Sequence, residues 1–450
     1  MEKFSDFILS PALYSALERL KFIQPTPIQQ HSFSKICSGK DLVGIAQTGT
    51  GKTLAYTLPL LRNLAQPKQH SPRILILVPT RELVLQVVDG IGKLCSELPF
   101  KTIGIFGGTN INTQKKQVEE GADIVVATPG RLYDLAISRV LRLKDIQKLV
   151  IDEVDVMLDL GFRHQLINIF DVLPEQRQNI MFSATMTSEV DQLISAFFKT
   201  PNKVSTALSG TPLTNIKQSR YDVQNYNSKL NLLIHLLKNR EELSKVLIFV
   251  DQKRIADRLF ESLTLNFGNE CGVLHSNKSQ NYRRNAIEEF RNGTSRILVS
   301  TDVMARGIDI DLVSHVISFN TPEFPENYMH RIGRTGRAQK QGESILLSTQ
   351  KEQEYRVQIE AYMNFEIMTN PWPTEVEVSN ELMPEERNII KERYNPHKKI
   401  DEDAPGPAFH EKKEKNKKVN LGGSYRKTIA KKYKKPKTRG DKNFNRRKRK

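Results

Sequence analysis

A glycine-rich segment near the amino terminus has the residue types and spacing of a loop that binds phosphate. The segment Ala46–Thr53 (AQTGTGKT) follows the apolar run Leu42–Ile45 and precedes a helical pattern, which is the strand–loop–helix context that such a loop needs. The following helix end adds positive potential at the phosphates. We expect Lys52 to reach the β- and γ-phosphates of a nucleotide and Thr53 to bind Mg²⁺, although Ala46 replaces the first glycine of the usual pattern. The turn itself would contact the nucleotide through Thr48, Gly49, Thr50 and Gly51.

Two carboxylates follow a second apolar run. The residues Leu149–Ile151 indicate a buried strand, and Asp152 and Glu153 come directly after it. Ligands of α/β proteins bind at the carboxyl ends of strands, so these acids would lie beside the phosphate loop. We expect Asp152 to hold Mg²⁺, directly or through water, and Glu153 to orient and polarise the attacking water. The two motifs together predict a nucleoside triphosphatase and leave ATP and GTP open.

The elements that must position these groups are visible as short apolar runs between helical patterns. Runs without polar alternation are typical of strands buried on both faces of a parallel sheet. Helical spacing connects one set of apolar residues in each half of the chain, Leu83, Val87, Ile91 and Leu94 in the first and Ala256, Leu259, Leu263 and Phe267 in the second. Besides Leu149–Ile151, the predicted strands are Ile74–Val78, Ile124–Ala127, Ile180–Phe182, Val246–Val250, Ile297–Ser300, His315–Phe319 and Ile345–Leu347.

This strand–helix alternation predicts the α/β class and occurs twice along the chain. The two series are separated by a small, polar, breaker-rich segment, Ser209–Asn215, which is typical of a linker. The predicted division is a first domain at 1–207, a linker at 208–216, a second domain at 217–367, a polar extension at 368–410 and a basic, disordered tail at 411–450.

Charge is concentrated in that tail. The whole chain carries a net charge of +17, and residues 411–450 contain 19 Lys and Arg against 3 Asp and Glu. A cationic tail on a nearly neutral body predicts binding to a polyanion, most simply nucleic acid. Apolar runs long enough to cross a membrane and a secretory signal are both missing, and the three cysteines are widely spaced. We therefore expect a protein with reduced thiols and no membrane partner.

Further segments, in chain order, resemble the motifs of the DEAD-box RNA helicases of superfamily 2. The resemblance covers residues 4 to about 365 and implies two tandem RecA-like domains with parallel sheets. One position departs from the pattern, since Val154 stands where the family usually has alanine. The matching segments are Phe22–Gln29, Ala46–Thr53, Pro79–Leu83, Gly107–Gly108, Thr128–Arg131, Asp152–Asp155, Ser183–Thr185, Leu247–Val250, Gln280–Arg283, Thr301–Asp309 and His330–Arg337.

The resemblance implies roles for residues around the nucleotide. Gln29 would read adenine with its side-chain amide, which makes ATP the expected nucleotide, and Phe22, or Phe4 upstream, would stack on the ring. Arg331 is expected to pack or form a salt bridge and is not assigned to catalysis. The remaining implied roles are second-domain nucleotide contacts by Gly307 and Asp309, arginine fingers at Arg334 and Arg337, and coupling between hydrolysis and RNA binding by Ser183, Thr185 and His330.

RNA contacts are also implied by the resemblance. They would grip the sugar–phosphate backbone, and such contacts carry no base information, so binding would be largely independent of sequence. A preference for RNA over DNA would come from 2′-hydroxyl contacts. The implied RNA-binding residues are Arg81, Gly108, Thr128, Gly130, Arg131 and Thr301.

The expected function is that of an ATP-dependent RNA helicase, an RNA-stimulated ATPase that separates short duplexes or remodels RNA–protein complexes. The compact core and short basic tail look most like bacterial RhlE-type members. The expected setting is then ribosome assembly or RNA turnover in the cytoplasm, with ribosomal precursors or the RNA-degradation machinery as partners; in a eukaryote the tail would instead suggest a nuclear or nucleolar location. Two alternatives stay open: an ATP-gated RNA clamp or annealing chaperone, and a DNA translocase of the same superfamily.

Overall fold

The computed structural model describes residues 3–47, 49–65, 71–206, 215–305, 313–336 and 341–387. Within these ranges, none of the helices combines the length and the apolar character that crossing a membrane requires. The predicted linker and the predicted basic tail lie outside the described residues, apart from the last two positions of the linker.

The first part of the chain forms a seven-stranded sheet in which every strand pair is parallel. Its strands are β1 (Leu42–Ile45), β2 (Ile74–Leu77), β3 (Thr102–Ile105), β4 (Ile124–Ala127), β5 (Lys148–Ile151), β6 (Gln178–Ser183) and β7 (Asn202–Ser205), in the spatial order β3-β4-β2-β5-β6-β1-β7. The helices are α1 (Pro11–Arg19), α2 (Pro27–Cys37), α3 (Lys52–Asn63), α4 (Arg81–Leu94), α5 (Ile111–Glu119), α6 (Pro129–Ile137), α7 (Val154–Asp159), α8 (Arg163–Val172) and α9 (Ser188–Phe197).

The second part forms another seven-stranded parallel sheet. Its strands are β8 (Ile216–Asp222), β9 (Val246–Val250), β10 (Cys271–Leu274), β11 (Ile297–Thr301), β12 (His315–Ser318), β13 (Gly342–Ser348) and β14 (Met368–Thr369), in the order β10-β11-β9-β12-β13-β8-β14. The helices are α10 (Tyr226–Leu237), α11 (Lys253–Phe267), α12 (Gln280–Asn292), α13 (Asp302–Ala305), α14 (Pro325–Ile332) and α15 (Gln353–Met363).

Apolar residues on both faces of the central strands explain why helices cover both sides of the sheets. Successive residues of a strand point to opposite faces, and in β2 Ile74 and Ile76 join one buried cluster while Leu75 and Leu77 join another. All four residues are at most 1% exposed. The α/β class and the two RecA-like parallel sheets expected from the sequence are confirmed, and each of the eight predicted apolar runs overlaps a strand.

The strands that apolar runs did not reveal lie mainly at sheet edges. β3, β7, β10 and β14 are the four edge strands, and β7 carries exposed Lys203 and Ser205. An edge strand has a neighbouring strand on one side only and tolerates polar side chains. It can therefore lack a continuous apolar run. β8 is internal, but its polar residues, among them Lys217 and Gln218, hide it in the same way.

The chain beyond the predicted end of the second domain packs on that domain as far as Arg387. Val376 is 7% exposed and lies in the same buried cluster as residues of α10, with Trp372 and Met383 packed against it. The Glu386 carboxylate accepts hydrogen bonds from the backbone N–H groups of Tyr226 at 2.7 Å and Met383 at 3.0 Å. The apolar residues in this segment are too sparse to form a recognisable period, which is why the predicted boundary of the second domain is at 367.

A close approach at the centre of the first sheet yields a stability prediction. An added Cβ at Gly44 would lie 2.5 Å from the buried Phe182 ring, so Gly44→Ala must displace that ring. We expect a loss of about 1–3 kcal/mol in the free energy of unfolding. Gly90→Ala in α4 is the matched control, because no atom lies within 4 Å of its added Cβ, and it should gain about 0.5–1 kcal/mol. Urea denaturation of both variants measures the difference; equal stability of Gly44→Ala and wild type would contradict the packing account.

Candidate nucleotide site and the domain junction

Sheet order brings the predicted nucleotide residues together. The neighbouring strands β5, β6 and β1 end at Ile151, Ser183 and Ile45, on the same edge of the first sheet. The acids after β5 and the phosphate loop after β1 therefore flank the Ser183–Thr185 segment after β6. The carboxyl edge of a parallel sheet is where α/β proteins bind ligands.

The phosphate loop turns through left-handed backbone. Gly49 and Gly51 have φ angles of +81° and +86°, a conformation that side chains disfavour. Lys52 is the first residue of α3, and the Thr50 hydroxyl donates to the carbonyl oxygen of Gln47 at 2.7 Å. The backbone therefore curls around the start of a helix, as the predicted phosphate site requires.

Gln29 is attached to this loop. Its Nε2 donates to Gly51 O at 3.1 Å, and its Oε1 accepts from the Thr26 backbone N–H at 2.9 Å. A Cβ at Gly51 would collide with the same amide nitrogen. Of the two aromatic residues predicted to stack on adenine, Phe4 is buried against Phe7, so its ring cannot contact a ligand, whereas Phe22 is 44% exposed.

The two acids after β5 lie in different environments. Asp152 is 3% exposed; Tyr56 donates its hydroxyl proton to Asp152 Oδ2 at 3.0 Å, and the Glu153 N–H donates to Oδ1 at 3.0 Å. Burial raises the pKa of Asp152, the positive charge of Lys52 lowers it and the charge of Glu153 raises it. With all of these effects together, the pKa is about 6. Glu153 itself has a left-handed backbone, with φ at +53°, in which non-glycine residues are uncommon and strained.

Buried charges without partners show what this site is built to receive. Lys52 Nζ and Glu153 Oε2 are buried and have no hydrogen-bond partner among the described residues. Leaving such groups unpaired is costly, so the arrangement fits a ligand that brings negative charge to Lys52 and a hydrogen-bond donor, such as water, to Glu153. The hydroxyl of Thr53 and the Asp152 carboxylate are the hard oxygen ligands that Mg²⁺ prefers. The residues thus fit a magnesium-bound triphosphate.

Asp155 connects this site to the second domain. Its Oδ2 accepts from the backbone N–H groups of Ala184 and Thr185 at 3.0 and 2.9 Å and from the Thr185 hydroxyl at 2.9 Å. His330 Nε2, on α14 of the second domain, lies 3.5 Å from the same oxygen. Burial raises the pKa of Asp155, but His330, the positive charge of Lys52 and the Thr185 bond outweigh it and hold that pKa well below its usual value. The three predicted coupling residues meet here, since Ser183 Oγ also donates to Thr185 O at 2.6 Å.

The arginines that follow His330 differ in their surroundings. Arg331 is 1% exposed and forms two bonds to Asp302, at 2.6 and 2.7 Å, plus one to Asn320 O at 2.6 Å. This bidentate pair holds α14 to α13, which agrees with the packing role expected for Arg331. Arg334 is 3% exposed, and its Nε donates to His330 O at 3.3 Å, so it lies next to the residue that meets Asp155.

Two of the RNA-binding candidates of the first domain, Gly108 and Arg81, lie against each other, and a third, Arg131, is held by neighbouring residues. Gly108 has a φ of +75°, and a Cβ there would collide with the guanidinium of Arg81. Arg131 donates to Thr109 O at 3.1 Å and to Gln114 Oε1 at 3.0 Å. The remaining candidates lie at element ends: Thr128 and Gly130 at the beginning of α6, and Thr301 at the end of β11.

A second contact between the domains involves the helix that begins at Arg81. Glu82 Oε1 lies 3.0 Å from Arg283 Nη1 on α12, with both side chains less than 10% exposed. Gln280 Nε2 donates to Glu82 Oε1 at 3.3 Å, and Arg81 Nη1 donates to Gln280 Oε1 at 3.5 Å. Burial and the nearby Arg283 lower the pKa of Arg81. An RNA-binding candidate is thus tied to the domain junction.

Several of these residues received no role in the sequence analysis. Asp155, Glu82, Gln280 and Arg283 lie inside the quoted motifs, but only the fold shows that they meet across the junction. Tyr56 has an ordinary core position in α3, and nothing in its spacing indicated a bond to Asp152. The predicted site residues Thr48, Gly307, Asp309 and Arg337 lie outside the described residues.

Comparison with known proteins identifies the family. The family model "DEAD/DEAH box helicase" matches residues 26–193, and "Helicase conserved C-terminal domain" matches residues 228–339. The chain is 37% identical over 349 residues to the DEAD-box ATP-dependent RNA helicase CshA of Bacillus subtilis, covering 78% of this chain and 70% of that protein. The chain belongs to the DEAD-box family of ATP-dependent RNA helicases.

Other relatives extend the comparison. This DEAD-box chain is 36% identical to the ATP-dependent RNA helicase DeaD of Buchnera aphidicola, covering 81% of this chain but only 60% of DeaD, so it spans less than two thirds of that relative. Among solved structures, it resembles Dbp5 of S. cerevisiae bound to RNA and ADP BeF3, with a TM-score of 0.75, 29% identity, and 82% and 96% of the two chains covered. It also resembles Mss116p bound to ssRNA and AMP-PNP, with a TM-score of 0.77, 28% identity, and 83% and 81% covered.

The raised pKa of Asp152 predicts a pH-dependent gain in stability for Asp152→Asn. A folded pKa of about 6, above the usual 3.8, means that ionisation destabilises the folded state as pH rises through this interval. In metal-free and nucleotide-free protein we expect Asp152→Asn to be more stable than wild type by up to about 3 kcal/mol at pH 7. This gain should fall to roughly half at pH 5.

Denaturant titrations at pH 5 and pH 7 measure this difference, with Asp171→Asn at an exposed position as the control. A gain for Asp152→Asn that does not change with pH would show that burial of the charge is not its cause.

Proposed function

We propose that this chain is an RNA-stimulated ATPase that separates short RNA duplexes or remodels RNA–protein complexes. The observation that carries the proposal is the pair of buried contacts between the two domains. Asp155, three residues after the proposed magnesium ligand, binds the Ser183–Thr185 segment and meets His330 of the second domain. The same junction holds Arg81, a proposed RNA contact, through Gln280.

In the proposed mechanism, the domain of residues 1–207 holds ATP and the domain of residues 217–367 completes the site when the two close. Lys52 binds the phosphates, Gln29 reads adenine and Phe22 stacks on it. Mg²⁺, held by Thr53 and Asp152, would neutralise charge on the phosphates. Glu153 accepts a proton from the attacking water, and the orphaned Oε2 supports this role.

Second-domain residues finish the site. Arg334 and Arg337 act as arginine fingers on the terminal phosphate, a contribution of about 10³–10⁵ in rate for such groups. Gly307 and Asp309 contact the nucleotide, and Ser183, Thr185 and His330 transmit its state to the RNA face. RNA is held by the backbone contacts named above, from Arg81, Gly108, Thr128, Gly130, Arg131 and Thr301.

ATP and single-stranded RNA each favour closure because each contacts both domains. The closed state bends one RNA strand in a way that a duplex cannot follow, so a few base pairs separate without translocation. Hydrolysis and phosphate release then reopen the domains. An RNA clamp or annealing chaperone would use the same residues without strand separation, and a DNA translocase is disfavoured because Gln29 and the Thr128–Arg131 motif are marks of the RNA-acting group.

The subgroup, the cellular process and the partners of the chain also belong to this proposal. The relatives reported above are named DeaD and CshA, whereas the RhlE-type subgroup rests on the compact core and the short basic tail. Ribosome assembly or RNA turnover, with ribosomal precursors or the degradation machinery as partners, is proposed on the same basis. A cytoplasmic location, or a nuclear or nucleolar one in a eukaryote, belongs to this proposal.

A strand-displacement assay with Glu153→Gln as the control tests the function. Wild type should separate a short RNA duplex with ATP, and its hydrolysis should rise with RNA and not with matched DNA. Glu153→Gln should keep ATP and RNA binding but lose about 10²–10⁴ in hydrolysis rate, the usual contribution of acid–base assistance. Closure without strand separation would favour the clamp, equal stimulation by DNA would favour the translocase, and normal hydrolysis by the variant would refute the role of Glu153.

The basic tail generates a separate prediction. Neutralising RNA phosphates releases counterions, so affinity falls with salt in proportion to the number of contacts. Deletion of residues 411–450, which hold 19 basic residues, should weaken RNA binding and flatten its salt dependence while changing the maximal ATPase rate much less. RNA affinities of both proteins between 50 and about 200 mM salt decide this; equal slopes would contradict a tethering role.

A further inference from the structure

A buried histidine lies near two carboxylates at the edge of the second sheet where the strands begin. His315 begins β12 and pairs directly with Glu343 near the beginning of β13. Glu242 approaches from the turn between α10 and β9. One ligand atom from each of the three side chains lies within 4.8 Å of the others.

The backbone around His315 determines which of its nitrogens carries the proton. The Ser314 hydroxyl donates to Lys245 O at 2.9 Å and accepts from the Lys245 N–H at 3.1 Å. Its only proton is therefore committed, and the His315 Nδ1, 3.1 Å from the same oxygen, must donate to it. In neutral imidazole, a protonated Nδ1 leaves Nε2 with a free lone pair.

That lone pair faces negative charge. His315 is 4% exposed, and Nε2 lies 3.8 Å from Glu343 Oε2, which is too long for a hydrogen bond. Glu242 is also oriented, since Asn239 Nδ2 donates to its Oε2 at 2.7 Å. One imidazole lone pair and two carboxylates lying within 4.8 Å of one another are a donor set that could hold a cation. Lys217 Nζ lies 3.6 Å from Glu343 Oε2, but its side chain is 74% exposed.

We propose that His315, Glu242 and Glu343 form a binding site for a divalent transition-metal ion, with Zn²⁺ as the representative. One imidazole nitrogen and two carboxylate oxygens suit Zn²⁺, whereas Mg²⁺ and Ca²⁺ prefer oxygen alone. Bond lengths of about 2.0–2.2 Å place tetrahedral ligand atoms about 3.4 Å apart, so rotation of the two glutamates would close the site. The Nδ1 bond to Ser314 is the type of outer contact that orients metal-binding histidines.

Burial also lowers the pKa of His315, although Glu343 and Glu242 raise it and Lys217 lowers it further. The ion would join the beginnings of β12 and β13 to the turn before β9. These groups lie at the opposite ends of the strands from Thr301 and the junction, so the site would stabilise the second domain without entering the ATPase reaction.

Titration of the full chain with Zn²⁺, followed by thermal unfolding without nucleotide, tests the proposal. Wild type should gain several degrees in melting temperature, because an ion that binds only the folded state stabilises it. Glu242→Gln, which changes an exposed side chain and leaves the buried histidine intact, should weaken binding by at least about tenfold. Glu241→Gln, an exposed neighbour outside the cluster, is the matched control and should bind as wild type does.

Two further measurements keep the outcome decisive. Co²⁺ as a spectroscopic probe should show one site whose visible absorption is lost in His315→Ala; if that variant fails to fold, Glu242→Gln decides alone. RNA-stimulated ATPase of Glu242→Gln should equal that of wild type. No Zn²⁺-dependent gain in wild type, or equal gains in Glu242→Gln and Glu241→Gln, would overturn the proposal.

Discussion

Two buried side-chain contacts between the domains, Asp155 with His330 and Glu82 with Arg283, are the constraint on which the remaining arrangement depends. A buried carboxylate without a partner is strongly unfavourable, so Glu82, whose charge partner Arg283 lies on the second domain, favours the position of that domain that covers it. The Asp155 carboxylate already accepts three hydrogen bonds at Oδ2 from its own domain, and His330 lies against it from the second domain. Asp155 also binds Thr185, whose segment ends the strand between the phosphate loop and the acids. In the proposed mechanism, a change at the nucleotide would reach the second domain through this segment and Asp155.

The nucleotide site differs from the junction, because two of its buried charged groups have an atom with no hydrogen-bond partner among the described residues. Lys52 Nζ and Glu153 Oε2 have no partner among the described residues, and burial raises the pKa of Asp152. The fold tolerates this because the large apolar clusters on both faces of the first sheet provide the stability. Tyr56 holds one Asp152 oxygen and the Glu153 N–H holds the other, so the carboxylate is oriented before any ligand arrives.

The pattern of apolar residues along the chain explains which strands and helices could be predicted from the sequence. Central strands such as β9 are buried on both faces, so their uninterrupted apolar runs were recognised, and the spacing of Leu83, Val87 and Ile91 correctly placed α4. Edge strands and the polar β8 carry no such signal. The phosphate loop and the acids could be proposed from the sequence because their residues are contiguous in the chain. The roles of Asp155 and Tyr56 depend on atoms brought together by strand order, which the sequence does not display.

Reciprocal coupling between ATP and RNA tests the central claim most directly. RNA affinity is measured with and without a non-hydrolysable ATP analogue, and analogue affinity with and without RNA, in wild type and in Arg283→Gln. The account predicts that each ligand tightens the other by the same factor in wild type, as linkage requires, and that Arg283→Gln, which removes a buried junction contact, reduces this factor. Independent binding of the two ligands in wild type, or unaltered coupling in the variant, would contradict an account in which the junction transmits closure.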